Sequence, residues 1–370
     1  MAASLAWPLA SSRSSGAVEV LRDRRALAAL VPAWEELAAR ALEPNPFYEH
    51  WTVLPALEAF APQAELCFLA VRLHGTLAGL FPFEWTRRYK GAPVRALSSW
   101  RHRHMLLGTP LVRADLAREC LAVLFEELST PIVEFRHIPA GGAFERLLRE
   151  RAAPFVVSEY SRALLRKNGA ATPRRTLRQA EKGLRRLGCL SSVALEPGDD
   201  AGTWIGDFLQ LEASGWKGRR GSALACKPHD RRFAEALFTE AHRRGRLIGI
   251  GLDLDGRAIT RHLSLRAGRG AYVYKIAYDE RYAKYSPGVL TELETIRHFE
   301  TLAELEWMDS FTGPDNATFR ALWKDRLSIR TLAFGLRARG RLALGALKAL
   351  RYLRRKSGAA AMPCSTAEKP

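Results

Sequence analysis

The stretch AYVYKIAYDERYAKYSPGVLTELETIRHF, residues 271–299, decides the fold. Its first part, residues 272–278, is rich in β-branched and aromatic residues and predicts a strand. A helix is predicted to begin at Ser286-Pro287-Gly288, because serine is a favourable N-cap and proline is tolerated at the first helical position. Gly288 would leave the first turn bare, so that backbone N–H groups and the helix dipole could hold an anion there. An ordinary strand-to-helix connection has the same pattern.

The composition indicates a globular protein with an anionic partner. The chain has 370 residues, of which 47% are hydrophobic, and a formal net charge of +18. Such a charge favours a nucleic acid, an acidic membrane or an acidic cofactor as partner. Excess surface arginine that binds no specific partner would give the same net charge. The length suggests two domains or one large one.

Cysteines and apolar runs exclude several classes of protein. The five cysteines are scattered and include no CxxC pair, so neither a zinc ribbon nor a dithiol redox site is indicated. The odd count favours a reducing compartment. We expect no metal, because no His/Asp/Glu cluster has metal-ligand spacing. No run of about 18 apolar residues and no charged leader with a long apolar core occurs, which predicts a cytoplasmic protein without a spanning helix.

Two similar series of elements follow one another along the chain. The strands predicted in the first half are 66–73, 77–85, 131–135 and 155–160, with a helix at 115–128 and an extended run at 101–107. The second half has helices at 204–214, 231–244 and 319–324 and strands at 247–254, 258–265, 272–278, 305–309 and 327–334. Each half contains a hairpin across an X-Gly pair, His74-Gly75 and Asp255-Gly256, and Asp-Gly is a strong turn signal. We interpret the halves as two copies of one α/β unit in tandem.

The predicted domains are a disordered tail at 1–16, an N-terminal unit at 17–160, a C-terminal unit at 161–335, a basic amphipathic helix at 336–356 and a disordered tail at 357–370. The N-terminal unit is expected to be structural, because its matching helix start, Gly108-Thr109-Pro110, lies in a less basic context.

Two segments are strongly basic. Residues 161–188 contain nine Lys or Arg and one acid, and a helix starting at Pro173 would place Leu177, Leu184 and Leu187 on one face. That helix either attracts an anionic ligand or only exposes its basic side chains to solvent. Residues 337–356 contain eight Lys or Arg and no acid. A basic amphipathic helix of this kind can lie on an anionic membrane at the inner face, or it can cover a domain boundary.

Three stretches together resemble a known family: LEASGWKGRRGSALA (211–225), YKIAYDERYAKYSPGVL (274–290) and WMDSFTG (307–313). They resemble the acetyltransferase domain of the CelD/BcsL-type proteins of the GNAT superfamily, which are associated with bacterial cellulose or exopolysaccharide synthesis. Their order and spacing are also similar to those of the FemAB transferases, which are two GNAT-like units in tandem. The resemblance covers residues 17–332.

The resemblance implies two GNAT-like units, each a mixed α/β sheet, and acyl transfer from acetyl-CoA or another acyl-CoA. The pyrophosphate site of that family corresponds here to Tyr285, Ser286, Pro287, Gly288 and Val289. The family's glycine-rich loop, (Q/R)xxGx(G/A), is reduced to a single glycine in residues 281–288.

Acyl transfer requires that the acceptor lose a proton and that the leaving thiolate gain one. Asp279, at the predicted strand end, is a candidate to orient or deprotonate the acceptor, although an aspartate there also caps turns. Asp309 is the second candidate carboxylate, because α/β ligands bind near the carboxyl ends of strands; it too can cap a turn. Tyr278 and Tyr285 are candidates to protonate the thiolate, or they are packing residues.

The segment around residue 216 is a candidate acceptor site. Trp216 with Lys217, Arg219 and Arg220 suits stacking on a sugar ring and pairing with phosphate or carboxylate, whereas a core tryptophan beside an exposed loop has the same sequence. His262, in the hairpin strand, is a candidate to face the acceptor and to act as a base, since histidine titrates near neutrality, or it is a strand histidine whose hydrogen bonds are satisfied within the fold.

Three functions are compatible with the sequence. The first is a coenzyme-A-dependent acyltransferase that modifies a sugar or lipid-linked intermediate of envelope or exopolysaccharide synthesis. The second is a FemAB-like transferase that uses aminoacyl-tRNA, which the basic segment would serve. The third is a non-catalytic scaffold that kept the fold and lost the cofactor loop. The fold alone does not decide among them.

Overall fold

The structure is a computed structural model that describes residues 16–61, 66–171, 175–314 and 316–356, without the side chains of 354–356. The predicted tails and Pro173 therefore lie outside the described residues, apart from Gly16, which begins a strand. The elements up to residue 166 are β1 (Gly16–Leu21), α1 (Arg24–Ala29), α2 (Val31–Ala39), α3 (His50–Phe60), β2 (Leu66–Leu73), β3 (Thr76–Thr86), β4 (Ala96–Ser99), β5 (Leu111–Val112), α4 (Ala117–Glu127), β6 (Ile132–Pro139), α5 (Ala143–Arg151) and β7 (Phe155–Arg166).

The remaining elements are α6 (Arg175–Arg185), β8 (Leu190–Ala194), α7 (Ala201–Ser214), α8 (Trp216–Arg219), α9 (Pro228–Arg243), β9 (Leu247–Leu254), β10 (Arg257–Ala267), β11 (Gly270–Tyr278), α10 (Pro287–Thr301), β12 (Trp307–Asp309), α11 (Ala317–Leu322), β13 (Asp325–Gly335) and α12 (Ala338–Lys356). Among the described residues, no helix combines the length and the apolar character needed to cross a bilayer.

The chain divides into two compact units. The first comprises the described residues up to Leu54, Ala61–Tyr160 and those from Ser328 onward; the second comprises Pro55–Phe60 and Ser161–Leu327. The predicted second unit ran to residue 335, whereas residues from 328 onward belong to the first unit. The reason is that β13 pairs with β6, with Phe334 opposite Val133.

Both units have the same strand order and the same directions. The first runs β1-β2-β3-β4-β6-β13 and the second β8-β9-β10-β11-β12-β7. In each, the fourth and fifth strands are parallel and every other pair is antiparallel. The prediction of two mixed α/β units of one kind is therefore confirmed.

The two predicted hairpins are confirmed and explain why the repeats can be recognised. His74 and Gly75 join β2 to β3 with φ of 49° and 77°, and Asp255 and Gly256 join β9 to β10 with φ of 51° and 74°. Two successive residues with positive φ are what a two-residue turn needs to match the twist of its strands.

Several predicted elements need correction. Strand β7 continues to Arg166, so the start of the predicted basic segment is a strand paired with β12. Residues 101–107 form no strand. Gly108 to Pro110 do not start a helix; α4 begins at Ala117. Leu184 of α6 is buried as predicted, but Leu187, which follows the end of α6, is 49% exposed.

The core of the second unit lies between α10 and the sheet. Leu290, Leu293 and Phe299 of α10 pack against β9 and β11 residues such as Ile250 and Val273. The helix ends where Lys167 donates hydrogen bonds to the carbonyl oxygens of Phe299 and Leu302. A lysine at the C-terminal end of a helix donates to carbonyl groups that have no partner within the helix, and its positive charge interacts favourably with the negative end of the helix dipole.

A polar network is buried under α10. The imidazole of His262 lies 2.6 Å from the Thr295 hydroxyl, and a Glu292 oxygen accepts from the Trp323 indole at 3.0 Å. Burial raises the pKa of Glu292 to about 8 and lowers the pKa of His262 to about 3. Both groups are therefore neutral at pH 7.

We expect Gly256→Ala to lower the stability of the protein by about 1 kcal/mol, because an alanine strains a backbone with φ of 74°. No atom lies within 4 Å of the added methyl group, so the cost is conformational. Gly198→Ala is the control, since that site is equally open and has no positive φ. Equal urea midpoints for the two variants would contradict a conformational cost at this turn.

The Glu292 carboxyl should make stability fall between pH 6.5 and 8. The folded protein keeps this proton up to about pH 8, because the pKa of Glu292 is raised there, and the unfolded chain loses it near 4.5. More protons are bound when folded, so stability decreases as pH rises, by about 2 kcal/mol over this interval. His262 acts oppositely, but only below its ordinary pKa of 6.5.

Glu292→Gln keeps an oxygen that can accept from Trp323 and removes the titration. We expect urea midpoints of this variant to show a flatter profile from pH 6.5 to 8 than those of the parent protein. Parallel profiles would show that Glu292 is already ionised in the folded state.

Candidate functional site

The candidate site begins where the two parallel strands of the second unit, β11 and β12, stop pairing with each other. The register of β11 with β12 runs from Gly270 opposite Trp307 to Tyr272 opposite Asp309. Strand β11 continues to Tyr278, whereas β12 ends at Asp309. In the described part of the chain, no strand pairs with this edge of β11 beyond Tyr272, and the Lys217 Nζ donates to the Ile276 carbonyl at 3.4 Å. Ligands of α/β sheets bind in such a crevice at the carboxyl ends of strands.

A β-bulge lies at the same place on β11. Leu263 of β10 is opposite Lys275 and Ser264 is opposite Val273, so Tyr274 is the extra residue. Tyr274 meets Phe238 of α9 with ring centroids 5.5 Å apart, and Lys275 reaches α7. The bulge therefore turns two successive side chains towards the layer of α7 and α9. Bulges re-aim side chains in this way beside functional sites.

A carboxylate and two ammonium groups form the centre of the site. Glu212 of α7 has a fully buried side chain, with its Oε1 3.2 Å from the Nζ of Lys217 and 3.1 Å from the Nζ of Lys275. Its other oxygen accepts from the Leu224 N–H at 2.8 Å. We call Glu212, Lys217 and Lys275 the charged cluster.

The charges of this cluster are strongly coupled. Burial alone would raise the pKa of Glu212, but Lys275 and Lys217 outweigh it, so the pKa falls below its ordinary value. Burial and the nearby Lys275 lower the pKa of Lys217. Burial, with the charges of Glu212 and Asp230, raises the pKa of Tyr274 well above its ordinary value. Lys217 is thus shifted towards neutrality, and Tyr274 remains a phenol.

Asp309 lies at the end of β12 and is buried. One oxygen is 2.5 Å from the guanidinium of Arg162 on β7, and the other accepts from the Phe311 N–H at 2.9 Å. The Arg162 guanidinium also lies 5.1 Å from the Phe311 ring, which stacks with the Tyr274 ring at 6.3 Å. Asp309 therefore both caps the turn after β12 and forms an ion pair.

The segment from Trp216 to Arg220 is tied to the end of β11 by Glu280. One Glu280 oxygen accepts from the Trp216 N–H at 2.6 Å and the other from Arg219 at 2.7 Å. These bonds hold the pKa of Glu280 below its ordinary value, Arg219 contributing most. The Arg220 guanidinium lies 5.3 Å from the Trp216 ring. Two of the sequence-predicted segments thus come together.

Asp279 follows β11 directly and serves as a cap. It accepts from the Arg281 N–H at 3.0 Å, and its two oxygens accept three further bonds from the Arg281 guanidinium at 2.6–3.1 Å. These bonds lower the pKa of Asp279. The carboxylate is therefore engaged with its own turn in this structure.

The start of α10 differs from the prediction. Ser286 occupies the N-cap position, but its backbone is left-handed, with φ of 49°, and its side chain makes no capping hydrogen bond. The predicted cap is therefore wrong: the chain enters α10 from the 3-10 turn Glu280–Tyr285, and that entry fixes the Ser286 backbone. The N–H groups of Val289 and Leu290 both donate to the Ser286 carbonyl.

The aromatic residues next to α10 are packed on glycines. The Tyr278 ring lies over Gly288, 3.3 Å from the position a Cβ would take, so Gly288 is not bare as predicted. The Tyr285 ring lies against Gly183 of α6, 2.6 Å from the equivalent position. Pro287 is buried, and Val289 packs partly against the core. Helix α6, with its exposed basic residues, is thus placed beside the start of α10.

His262 lies on the face of β10 that α10 covers. It is buried, and its ring lies by Thr295 and Ser264 under α10. The prediction that His262 faces the acceptor needs correction, because β10 directs this side chain into the core. Among the described residues, no group of three His, Cys, Asp or Glu side chains is placed to hold a metal.

Sequence reasoning missed Glu212, Lys275 and Arg162. A signal existed for Glu212, since Trp204, Phe208 and Leu211 mark the apolar stripe of α7 and Glu212 lies on it. A charge in such a stripe is almost always paired. No comparable signal existed for Arg162, one of nine basic residues in its segment.

Comparison with known proteins agrees with this geometry. Residues 172–324 match the family model described as the acetyltransferase (GNAT) domain. A search of curated protein sequences found no match. The match indicates a GNAT-type transferase domain in the second unit.

Solved structures resemble this chain over most of its length. FemX has a TM-score of 0.53 and 11% identity, covering 85% of this chain and 96% of its own. The C-terminal domain of a protein from Agrobacterium fabrum, named as a lysylphosphatidylglycerol synthetase, has a TM-score of 0.51 and 13% identity, covering 87% and 96%. At these identities the likeness shows the fold, and the chain consists of two GNAT-like units.

We expect Glu212→Gln to destabilise the second unit by about 3–5 kcal/mol, since two neighbouring ammonium groups lose their buried counter-charge. The second change Lys275→Met should recover part of this loss, because one of the two like charges is then removed. Urea unfolding followed by tryptophan fluorescence gives the measurement.

Glu235→Gln is the control, because Glu235 forms an exposed pair with Arg231 one turn away and such pairs contribute little. An unchanged urea midpoint for Glu212→Gln, or no recovery in the double variant, would contradict the electrostatic account of the cluster.

Proposed function

We propose that the second unit transfers an acyl group from a coenzyme A thioester to an amine or hydroxyl acceptor. The observation that carries the proposal is the parting of β11 from β12 immediately before the connection to α10. It lies within residues 172–324, which match the GNAT model. The end of the β11–β12 pairing, the bulge and Lys275 of the charged cluster all lie on the part of β11 from Tyr272 onward.

The open edge of β11 suits an extended ligand that carries amides. The backbone beyond Tyr272 extends past the end of β12, and an extended chain can add to such an edge through main-chain hydrogen bonds. The pantetheine arm of coenzyme A has two amide groups for this purpose. Its thioester end would then lie near the bulge at Tyr274 and Lys275.

The diphosphate would lie at the start of α10, held by charge more than by free N–H groups. Val289 and Leu290 already donate to Ser286, so the helix dipole and basic side chains are the main attraction. The packing of Tyr285 on Gly183 supports this, because it brings α6 to the site. Exposed Arg178 and Lys182 of α6 then supply positive charge.

Acyl-coenzyme A would supply a thioester whose C–S bond breaks as the acceptor's nitrogen or oxygen bonds to the acyl carbon. Lys217 is our candidate to take the acceptor's proton, because its pKa is shifted from its ordinary value towards neutrality. Asp279 and Asp309 are engaged by Arg281 and Arg162 and would position these arginines. Lys275 would stabilise negative charge that develops on the carbonyl oxygen.

The thiolate leaves with a proton from a phenol in this scheme. Tyr278, at the end of β11 and over Gly288, is our candidate for that proton. The packing of Tyr285 on Gly183 favours a structural role for it instead. The acceptor would approach from α8, where Trp216 and Arg220 stack on each other. A sugar or lipid-linked intermediate, as the family resemblance implies, would have to displace Arg220 from that ring.

The test is binding of acetyl-CoA and of coenzyme A to the full chain, measured by calorimetry and by thermal shift. A ligand at 100 times its Kd stabilises the folded state by about 2.7 kcal/mol. We expect saturable binding that Lys182→Glu weakens several-fold, because the change reverses the charge at this position. Gly288→Glu should abolish it, because the new side chain displaces Tyr278 and puts a negative charge at the helix start.

Gly206→Glu is the matched control, since it adds the same charge at an open, exposed position of α7. Binding that is equally strong in all three variants would place the ligand elsewhere. No binding at millimolar ligand would overturn the proposal, and aminoacyl-tRNA would become the next donor to examine.

A further inference from the structure

Helix α12 concentrates positive charge at the end of the first unit. Residues 337–356 contain eight Lys or Arg and no Asp or Glu. The helix has 19 residues, Ala338–Lys356, which gives it about five turns and a length near 28 Å. None of its basic residues is used by the candidate site of the second unit.

The inner face of α12 is docked on the first unit. Leu344 is buried in a small core with Tyr89, Ile132 and Val157, and Ala343 and Leu347 pack partly against it. Near the other end, the Arg351 guanidinium donates to the carbonyl oxygens of Val156 and Val157 at 2.9 and 2.6 Å. The helix is therefore held along most of its length, and its outer face has a fixed orientation on the unit.

The outer face exposes large apolar side chains. Leu342 is 74% exposed, Leu350 52%, Tyr352 57% and Leu353 60%. Among the described residues, six large hydrophobic side chains are at least 36% exposed, and these are the four most exposed of them. A fifth, Val156, accepts the hydrogen bond from Arg351. The exposed apolar surface of the described chain is thus concentrated on this helix and beside it.

An apolar stripe and a row of basic residues run side by side along the outer face. Leu342, Ala346, Ala349 and Leu353 follow the helical spacing of one stripe, and all are exposed. Exposed Arg341 and Lys348, seven residues apart, lie in a row at its edge. A stripe of leucine and alanine with a basic row at its edge matches an interfacial helix, whose apolar face enters the boundary between headgroups and acyl chains.

We propose that the outer face of α12 binds the surface of a bilayer that contains anionic lipids. The leucines would enter the acyl boundary, and the flanking basic groups would pair with the headgroups. A nucleic acid would use the charge but leave the leucines in water. The surface lies on the first unit, so the proposal does not depend on the function proposed for the second.

The test uses the full chain and vesicles of phosphatidylcholine with about one-third phosphatidylglycerol, beside vesicles of phosphatidylcholine alone. Sedimentation should show binding to the anionic vesicles only, weakening as salt is raised. Arg341→Gln with Lys348→Gln should weaken binding about 25-fold, at roughly fivefold per basic residue. Leu350→Asp with Leu353→Asp should weaken it at least tenfold, since two inserted side chains become charged.

Leu187→Asp is the control, because Leu187 is a similarly exposed leucine of the second unit. All changed side chains are exposed, so folding should be retained, as an unchanged melting temperature would verify. Equal binding to neutral vesicles, or an equal loss with Leu187→Asp, would overturn the proposal. So would a dimer in light scattering that Leu350→Asp dissociates, without any vesicle binding, since a second copy would then cover this face.

Discussion

The second unit is organised around one buried carboxylate. Glu212 lies on the apolar stripe of α7, where an unpaired charge would be costly. It is compensated by Lys217, by Lys275 and by the Leu224 N–H, which come from three other segments. The bulge on β11 is what turns Lys275 to this face. One charge thus fixes the relative positions of α7, α8, the loop after it and the strand that carries the candidate site.

The features that were predictable from sequence are local ones. The hairpins were found because two residues with positive φ need a particular chemistry, which Asp255-Gly256 supplies. The strand of residues 272–278 was found from its β-branched and aromatic residues. The prediction that the Ser286 side chain caps α10 was wrong for an equally local reason. Its N-cap pattern assumes an extended backbone, and the preceding 3-10 turn leaves Ser286 left-handed.

The features that were missed depend on distant partners. Lys167 belonged to a run of basic residues, and only the position of α10 shows that it caps a helix more than 130 residues away. Arg162 pairs with Asp309 across 147 residues. The last strand of each unit also depends on a distant partner. Strand β7 follows α5 along the chain but pairs with β12, and β13 follows α11 but pairs with β6. A repeat in sequence predicts two similar units, yet not which strand completes each.

The backbone around the parallel strands distinguishes the two units and supports the second as the place of chemistry. In the first unit the parallel strands are β4 and β6, and the chain after β4 packs directly on β6. The Gly108 N–H donates to the His137 carbonyl, and a Cβ on Gly108 would lie 2.2 Å from the Arg136 oxygen. The Arg136 N–H donates to the Ser99 hydroxyl at 2.7 Å. In the first unit, the chain after β4 thus hydrogen-bonds to the end of β6, whereas in the second unit β11 extends past the end of β12.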